Sequence, residues 1–347
     1  MFLAELMKEL FSNLPNSYGL DNWDTDRFGS FKNPSGLEVI SARSFVSILC
    51  RMDGLSWVYD LLEDDHSKTV LTKVMAYRIL GHTKVKLPVN TPEYWREKEY
   101  VSGLVKREDV IQLSFLNWSL NYFELNAMGI PIKLYCTPNG ILNVFCLRQY
   151  EYGERIKAQQ GDYVIDAGGC WGDTALYFAH EVGEYGKVFT FEFVPSNLEV
   201  MHKNLHLNPA LMSRIELLQR PLWDDSNRVL FCHDHGPGSQ VSNQGLSESD
   251  FKKSTLSIDD FVREHKVPRV DLIKMDIEGA ELPAIRGAVE TLRKYRPRLA
   301  ISVYHSLKDF VYIPEFLVSL GLNYRFYLDH FSIHREETIL FAEADRH

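Results

Sequence analysis

Val164-Ile-Asp-Ala-Gly-Gly-Cys-Trp-Gly-Asp-Thr174 is the stretch that decides how this chain is read. An apolar run that stops at a carboxylate and passes through three glycines is a strand turning into a helix. Residues without a Cβ let the helix pack closely and let a ligand approach the backbone. The glycines stand at 168, 169 and 172, which is not the GxGxxG spacing of a dinucleotide fingerprint. Asp166 points the same way, because a carboxylate here repels a pyrophosphate and attracts a ligand carrying an ammonium and a sulfonium. The plainer alternative is a strand–helix turn with Asp166 as an acid near a helix start.

Outward from that turn the rhythm is strand, then amphipathic helix, several times over. Lys187–Glu192 precedes a helix from Pro195 to about Leu207, and Val270–Asp276 precedes one over 281–294. Arg298–Tyr304 precedes another near 308–320, and two last strands near 323–328 and 337–343 close the chain. Such alternation with near-continuous apolar strands predicts an α/β fold, a mostly parallel sheet with helices on both faces. Its ligand crevice lies beyond the carboxyl ends of the strands. Glu192, at the end of the second strand, is placed to accept hydrogen bonds from ribose hydroxyls, whichever adenosine ligand is bound.

Upstream the pattern differs. Residues 43–63 and 66–80 carry apolar side chains at helical spacing, and Gly81 is a helix stop. Ile130–Cys136 and Ile141–Leu147 flank Thr137-Pro-Asn-Gly140, which predicts a β-hairpin. Two units follow: a mainly helical region 1–150 ending in a hairpin, open to a ligand-binding or oligomerisation role, and an α/β domain 151–347. The sequence leaves a homo-oligomer open.

Composition narrows the classes. The 347 residues are 45% hydrophobic and 24% charged, enough for a large core. With 38 basic against 47 acidic residues the net charge is −9, and no basic run offers a nucleic-acid stripe. Five scattered cysteines without a CxxC pair fit neither a disulfide framework nor a zinc site. No apolar window is long enough to span a membrane, and the N-terminus carries Glu5, Lys8 and Glu9 inside an amphipathic pattern that is not a secretory leader. The expected compartment is the cytoplasm.

Together, Asp166-Ala-Gly-Gly-Cys-Trp-Gly-Asp-Thr174, Phe191-Glu-Phe-Val-Pro-Ser-Asn197, Asn204, Asn208 and Asp271-Leu-Ile-Lys-Met-Asp-Ile-Glu-Gly-Ala-Glu281 resemble the FkbM-type S-adenosylmethionine-dependent methyltransferases over about 161–345. The resemblance implies a class I methyltransferase (Rossmann-like) fold with seven strands, the final one antiparallel. It also implies methyl transfer from S-adenosylmethionine to a hydroxyl of a sugar, glycan or secondary metabolite. By the same resemblance Asp166 and Gly168, beside Gly169, Gly172 and Thr174, hold the methionine part of the cofactor. Glu192 and Asn197 lie on its ribose side. Trp223 and Asp224, in Pro221-Leu-Trp-Asp224, meet its adenine, although Trp223 is equally readable as core.

Two strand-end residues are candidates for removing the acceptor's proton. His305 has an ordinary pKa suited to the task, and Asp276, also beside the cofactor, would need desolvation to match it. Asp276, Glu278 and His305 could gather a divalent cation, but no fixed-spacing ligand set is present and no required metal is expected. His233 and His235 read as a strand end and a loop over 233–247 above the acceptor. Trp95, Trp118 and Tyr122 are readable as sugar-stacking aromatics or as core, core being the commoner fate. An NAD-dependent oxidoreductase on a similar sheet and a non-catalytic cofactor-binding protein remain as alternatives.

Overall fold

The structure, a computed structural model, describes residues 1–25, 29–31, 41–113, 118–242 and 251–345. Its first half is helical over Phe2–Asn13, Ala42–Leu49, Met52–Leu61, Asp65–Leu80 and Pro92–Gly103. Strands β1 (Lys106–Leu113), β2 (Trp118–Glu124) and β3 (Lys133–Cys136) then form an antiparallel sheet in that order. The predicted hairpin partner of β3 is helical instead, over Pro138–Ile141 and Leu142–Cys146. The Thr-Pro-Asn-Gly segment works as a helix start: the Thr137 side chain accepts a hydrogen bond from Gly140 N at 3.0 Å, and Pro138 takes the first turn.

The second half alternates as expected. Strands β4 (Tyr163–Ala167), β5 (Lys187–Phe191) and β6 (Ile215–Leu218) run outward in one direction. After a small antiparallel sheet of β7 (Val229–His233), β8 (Gln240–Ser242) and β9 (Phe251–Ser254), the chain returns to the middle. There β10 (Leu272–Met275) lies beside β4, followed outward by β11 (Arg298–Ser302). Strand β13 (Thr338–Glu343) inserts antiparallel between β11 and β12 (Arg325–His330), giving the order β12-β13-β11-β10-β4-β5-β6. The seven strands are parallel except for β13, as the resemblance implied. The topological switch falls between β4 and β10, where a ligand crevice opens in this class of sheet.

The helix predicted over 281–294 is two, Glu281–Arg286 and Val289–Tyr295. A Cβ at Gly287 would lie 2.2 Å from the Trp223 carbonyl oxygen, so the break lets two backbones meet. Both halves of the chain share their cores: Phe2, Leu6, Val74 and Met75 pack in one cluster with Ile165, Ile273 and Ile301. Asn204 and Asn208, on the helix Pro195–His206 and just beyond it, dock β3. Asn204 bonds Tyr135 N and O at 2.7 and 2.9 Å, and Asn208 bonds Lys133 N and O at 3.0 and 2.6 Å. Four residues of helix rise about 6 Å and two residues of strand about 6.8 Å, so this spacing lets two amides satisfy the open edge of β3. Among the described residues no helix is long and apolar enough to cross a membrane.

Candidate active site

Beyond the carboxyl ends of β4, β5 and β10 lie two adjoining cavities. The first, about 590 Å³, is lined by Gly168, Phe191, Glu192, Asn197, Leu222 and Asp276, among others. The second, about 1660 Å³, reaches from Trp171, Asp173 and Thr174 to Asn143, Tyr150 and Glu337. Gly168, Cys170, Pro237, Asp276 and Glu278 line both. The junction demands glycine at 168: its φ is +87° and a Cβ there would sit 1.9 Å from the Asp276 carbonyl oxygen. Gly172, at φ +84°, turns the chain into the helix Asp173–Glu181. Gly169 and Gly172 line neither cavity.

Asp166 also lines neither, which corrects its expected contact with the cofactor. It is fully buried, with Oδ1 3.1 Å from Lys274 Nζ, and it accepts hydrogen bonds from Thr174 and Thr190 hydroxyls at 2.9 to 3.1 Å. The reason is register: Lys274, Asp166 and Thr190 stand opposite one another across β10, β4 and β5. Burial pulls the Lys274 pKa down, but Asp166, Asp276 and Asp173 together outweigh it, so the ammonium is retained. It also donates to the Ala167 and Gly168 carbonyls at 3.2 and 2.6 Å. Asp166 therefore fixes the glycine turn from within the sheet. The acid of this glycine turn that lines a cavity is Asp173, whose carboxyl burial pushes up to about 6 against the pull of Lys274.

Three buried polar atoms at the cavities test whether the expected cofactor fits. Trp171 Nε1, Asp173 Oδ1 and Asn197 Oδ1 have no hydrogen-bond partner. An indole N–H suits a carboxylate, a carboxylate oxygen suits an ammonium and an amide oxygen suits a hydroxyl, which together describe an amino-acid tail and a ribose. Glu192 supports the ribose end. Its Oε1 accepts from Phe193 and Val194 N at 2.6 and 2.8 Å, and its Oε2 accepts from Asn197 Nδ2 at 3.1 Å. Burial raises its pKa to about 7 against those hydrogen bonds. The residues present fit S-adenosylmethionine.

The adenine side departs from expectation. Arg220, Pro221 and Leu222 line the first cavity, whereas Trp223 and Asp224 do not. Leu222, bridged to Leu256, is buried and takes the inward position. Asp224 is exposed beside Arg228 at 3.4 Å. On the acceptor side, Trp95 donates to Asn90 and Tyr122 to Glu124, and neither lines a cavity. The Trp118 side chain and residues 243–247 of the predicted loop lie outside the described residues, while Pro237 borders both cavities.

Asp276 is central. Its Oδ2 accepts from Tyr150 OH at 2.8 Å and its Oδ1 from Tyr304 OH at 3.3 Å. His305 lines neither cavity and sits behind it. Its Nε2 is 3.5 Å from Asp276 Oδ1 and from Glu278 Oε1, and its Nδ1 is 3.0 Å from Glu281 Oε1. Burial alone would lower its pKa, but Glu278, Glu281 and Asp276 push it up to about 11. A ring out of reach of the cavity is not placed to take an acceptor's proton, which corrects that assignment. Sequence reasoning missed Tyr150, Trp171, Asp173 and Lys274. A lysine inside the apolar run Leu-Ile-Lys-Met was a visible signal for the last, and Trp171 and Asp173 stood within the glycine turn itself. Nothing marked Tyr150.

The family model described as a methyltransferase FkbM domain matches residues 156–326. The chain is similar to methyltransferase sdnD of Sordaria araneosa, 27% identical over 159 residues that cover 37% of this chain and 61% of that protein. Among solved structures it resembles a methyltransferase FkbM from Methylobacillus flagellatus KT, with TM-score 0.56 and 18% identity, covering 86% of this chain and 60% of that one. The chain thus spans about three-fifths of each of these relatives, and the second likeness is one of fold.

Proposed function

Since residues 156–326 are an FkbM-type methyltransferase domain whose cofactor is S-adenosylmethionine, we propose that the chain transfers a methyl group to a hydroxyl oxygen of a small or glycan-linked acceptor. The family leaves no support for the oxidoreductase alternative. The observation that carries the acceptor reading is the position of Asp276, a carboxylate that borders both the cavity lined by Glu192 and the wider one beside it.

When bound, the cofactor supplies a methyl group already attached to a good leaving group. Asp173 and Trp171 orient its amino-acid end, and Glu192 and Asn197 its ribose. Asn139, Asn143 and Gln149 offer amides to a hydroxyl-rich acceptor from the first half of the chain. Asp276, held by two tyrosine hydroxyls, takes the acceptor proton, and the second cavity keeps the acceptor next to the first.

The test is direct. S-adenosylhomocysteine at about 100 times its Kd is expected to add roughly 2.7 kcal/mol of stability, and NAD none. Methyl-labelled cofactor offered with sugars and hydroxylated metabolites should give a base-stable ether. Label found only on nitrogen, sulfur or carbon overturns the hydroxyl reading.

Cofactor affinity should also follow pH through Glu192. With its carboxyl near 7, the ionised fraction that best accepts ribose hydroxyls grows about tenfold from pH 6 to pH 8. S-adenosylhomocysteine is expected to bind about tenfold more tightly at the higher pH by calorimetry. The variant Glu192→Gln should bind weakly with no such dependence, and a wild-type affinity that is flat across this range counts against the ribose assignment.

A further inference from the structure

The side chains behind the junction of the two cavities are left in an unusual state. Glu281 is wholly buried; its Oε1 accepts from Ile277 N at 2.8 Å, and its Oε2 has no partner. The His305 side chain is 10% exposed, and neither ring nitrogen makes a hydrogen bond. Carboxylate oxygens stand 3.0 to 3.5 Å from those nitrogens, close in distance but out of line. Buried polar atoms in native folds are normally satisfied, so an imidazole without a hydrogen bond beside a carboxylate whose other oxygen also lacks one points to a further ligand.

We propose that Asp276, Glu281 and His305 bind one divalent cation, of the Mn²⁺ or Mg²⁺ kind, just behind the junction, where Asp276 and Glu278 border both cavities. Each offers a ligand atom within 4.8 Å of the other two. Glu278 stands in reach, 3.5 Å from His305 Nε2, and its backbone is held at φ +55°. A non-glycine residue in that region is retained only where its surroundings enforce it, and such strain gathers at functional sites. Carboxylate oxygens with one imidazole suit a hard ion, the nitrogen favouring Mn²⁺ over Mg²⁺.

Three protein ligands leave positions open on a six-coordinate ion, and Asp276 borders the cavities. Resting on the methyltransferase reading, this names the acceptor class more closely: a molecule with two neighbouring oxygens, such as a vicinal diol, that can chelate the ion. The irregular sequence spacing of 276, 281 and 305 hid the set. Only the adjacency of the β10 and β11 ends assembles it.

Chelator-treated protein titrated with MnCl₂ alone, read by the electron paramagnetic resonance of free Mn²⁺, is expected to bind one ion per chain with a Kd of about 100 µM or tighter. His305→Asn and Glu281→Gln should each weaken this about tenfold or more, with S-adenosylhomocysteine affinity held within about threefold as evidence of folding. Should Glu281→Gln fail to fold, Glu278→Gln, whose side chain is partly exposed, is expected to weaken Mn²⁺ about threefold. Absence of saturable binding, or binding indifferent to all of these changes, overturns the site. Mn²⁺ failing while S-adenosylhomocysteine binds leaves the methyltransferase reading intact, and the reverse result overturns that reading alone.

Discussion

Replacing Asp276 by Asn is expected to lower turnover by about 10²–10⁴-fold while S-adenosylhomocysteine affinity stays within about threefold. The expectation follows from what the side chain touches. Asparagine keeps the size and planarity of the carboxylate, so the cavity walls and the Tyr304 contact survive. It has no basic oxygen to receive a proton, and its amide N–H₂ meets the hydroxyl of Tyr150, which now donates to Oδ2 at 2.8 Å. Both losses act on the reacting acceptor and neither on the unpartnered atoms that Trp171 and Asp173 offer to the amino-acid end of the cofactor. The loss should therefore sit in kcat more than in cofactor KM. Single-turnover kinetics with labelled cofactor would show it, and a variant retaining a third of wild-type turnover would remove Asp276 from the chemistry. His305 is the useful contrast: lying behind Asp276, it acts on the acceptor only through that carboxylate and any ion the two hold.

How much of this was legible beforehand follows a physical line. Near-continuous apolar strands and a glycine turn are local signals, so the sheet and its crevice could be read from sequence, and so could the place of Glu192 at the end of β5, where it lines the first cavity. Partners supplied from a distance could not. Asp166 read as a ligand carboxylate because the residue that neutralises it is 108 positions away, and only the parallel register of β4 and β10 sets Lys274 opposite. Trp223 and Asp224 failed for a different reason. A loop has no periodicity to say which side chains turn inward, and its bridge to Leu256 gave that place to Leu222. The segment after β3 was misread because Thr-Pro-Asn-Gly serves a tight turn and a helix start equally well; here Thr137 caps a helical segment whose residues Ile141, Leu142, Val144 and Phe145 are all buried.

The same register makes Lys274 a costly side chain to truncate. Lys274→Met is expected to destabilise the fold by about 3–5 kcal/mol, because removing one member of a buried ion pair leaves the other charged without compensation. Asp166 is fully buried, and among the described residues its remaining donors would be the Thr174 and Thr190 hydroxyls. The carbonyls of Ala167 and Gly168 would lose their bonds at the turn that opens the cleft. The converse change, Asp166→Asn, should cost less. Its amide still bonds the threonines, and the stranded ammonium keeps Asp276 and Asp173 as electrostatic partners. Combining Asp166→Leu with Lys274→Met removes both charges and should recover a large part of the loss, since apolar replacements of buried pairs are often near neutral. Urea unfolding followed by circular dichroism would order the three variants. If Lys274→Met cost less than about 1 kcal/mol, or no more than Asp166→Asn, the pair would not be what holds the glycine turn against the sheet.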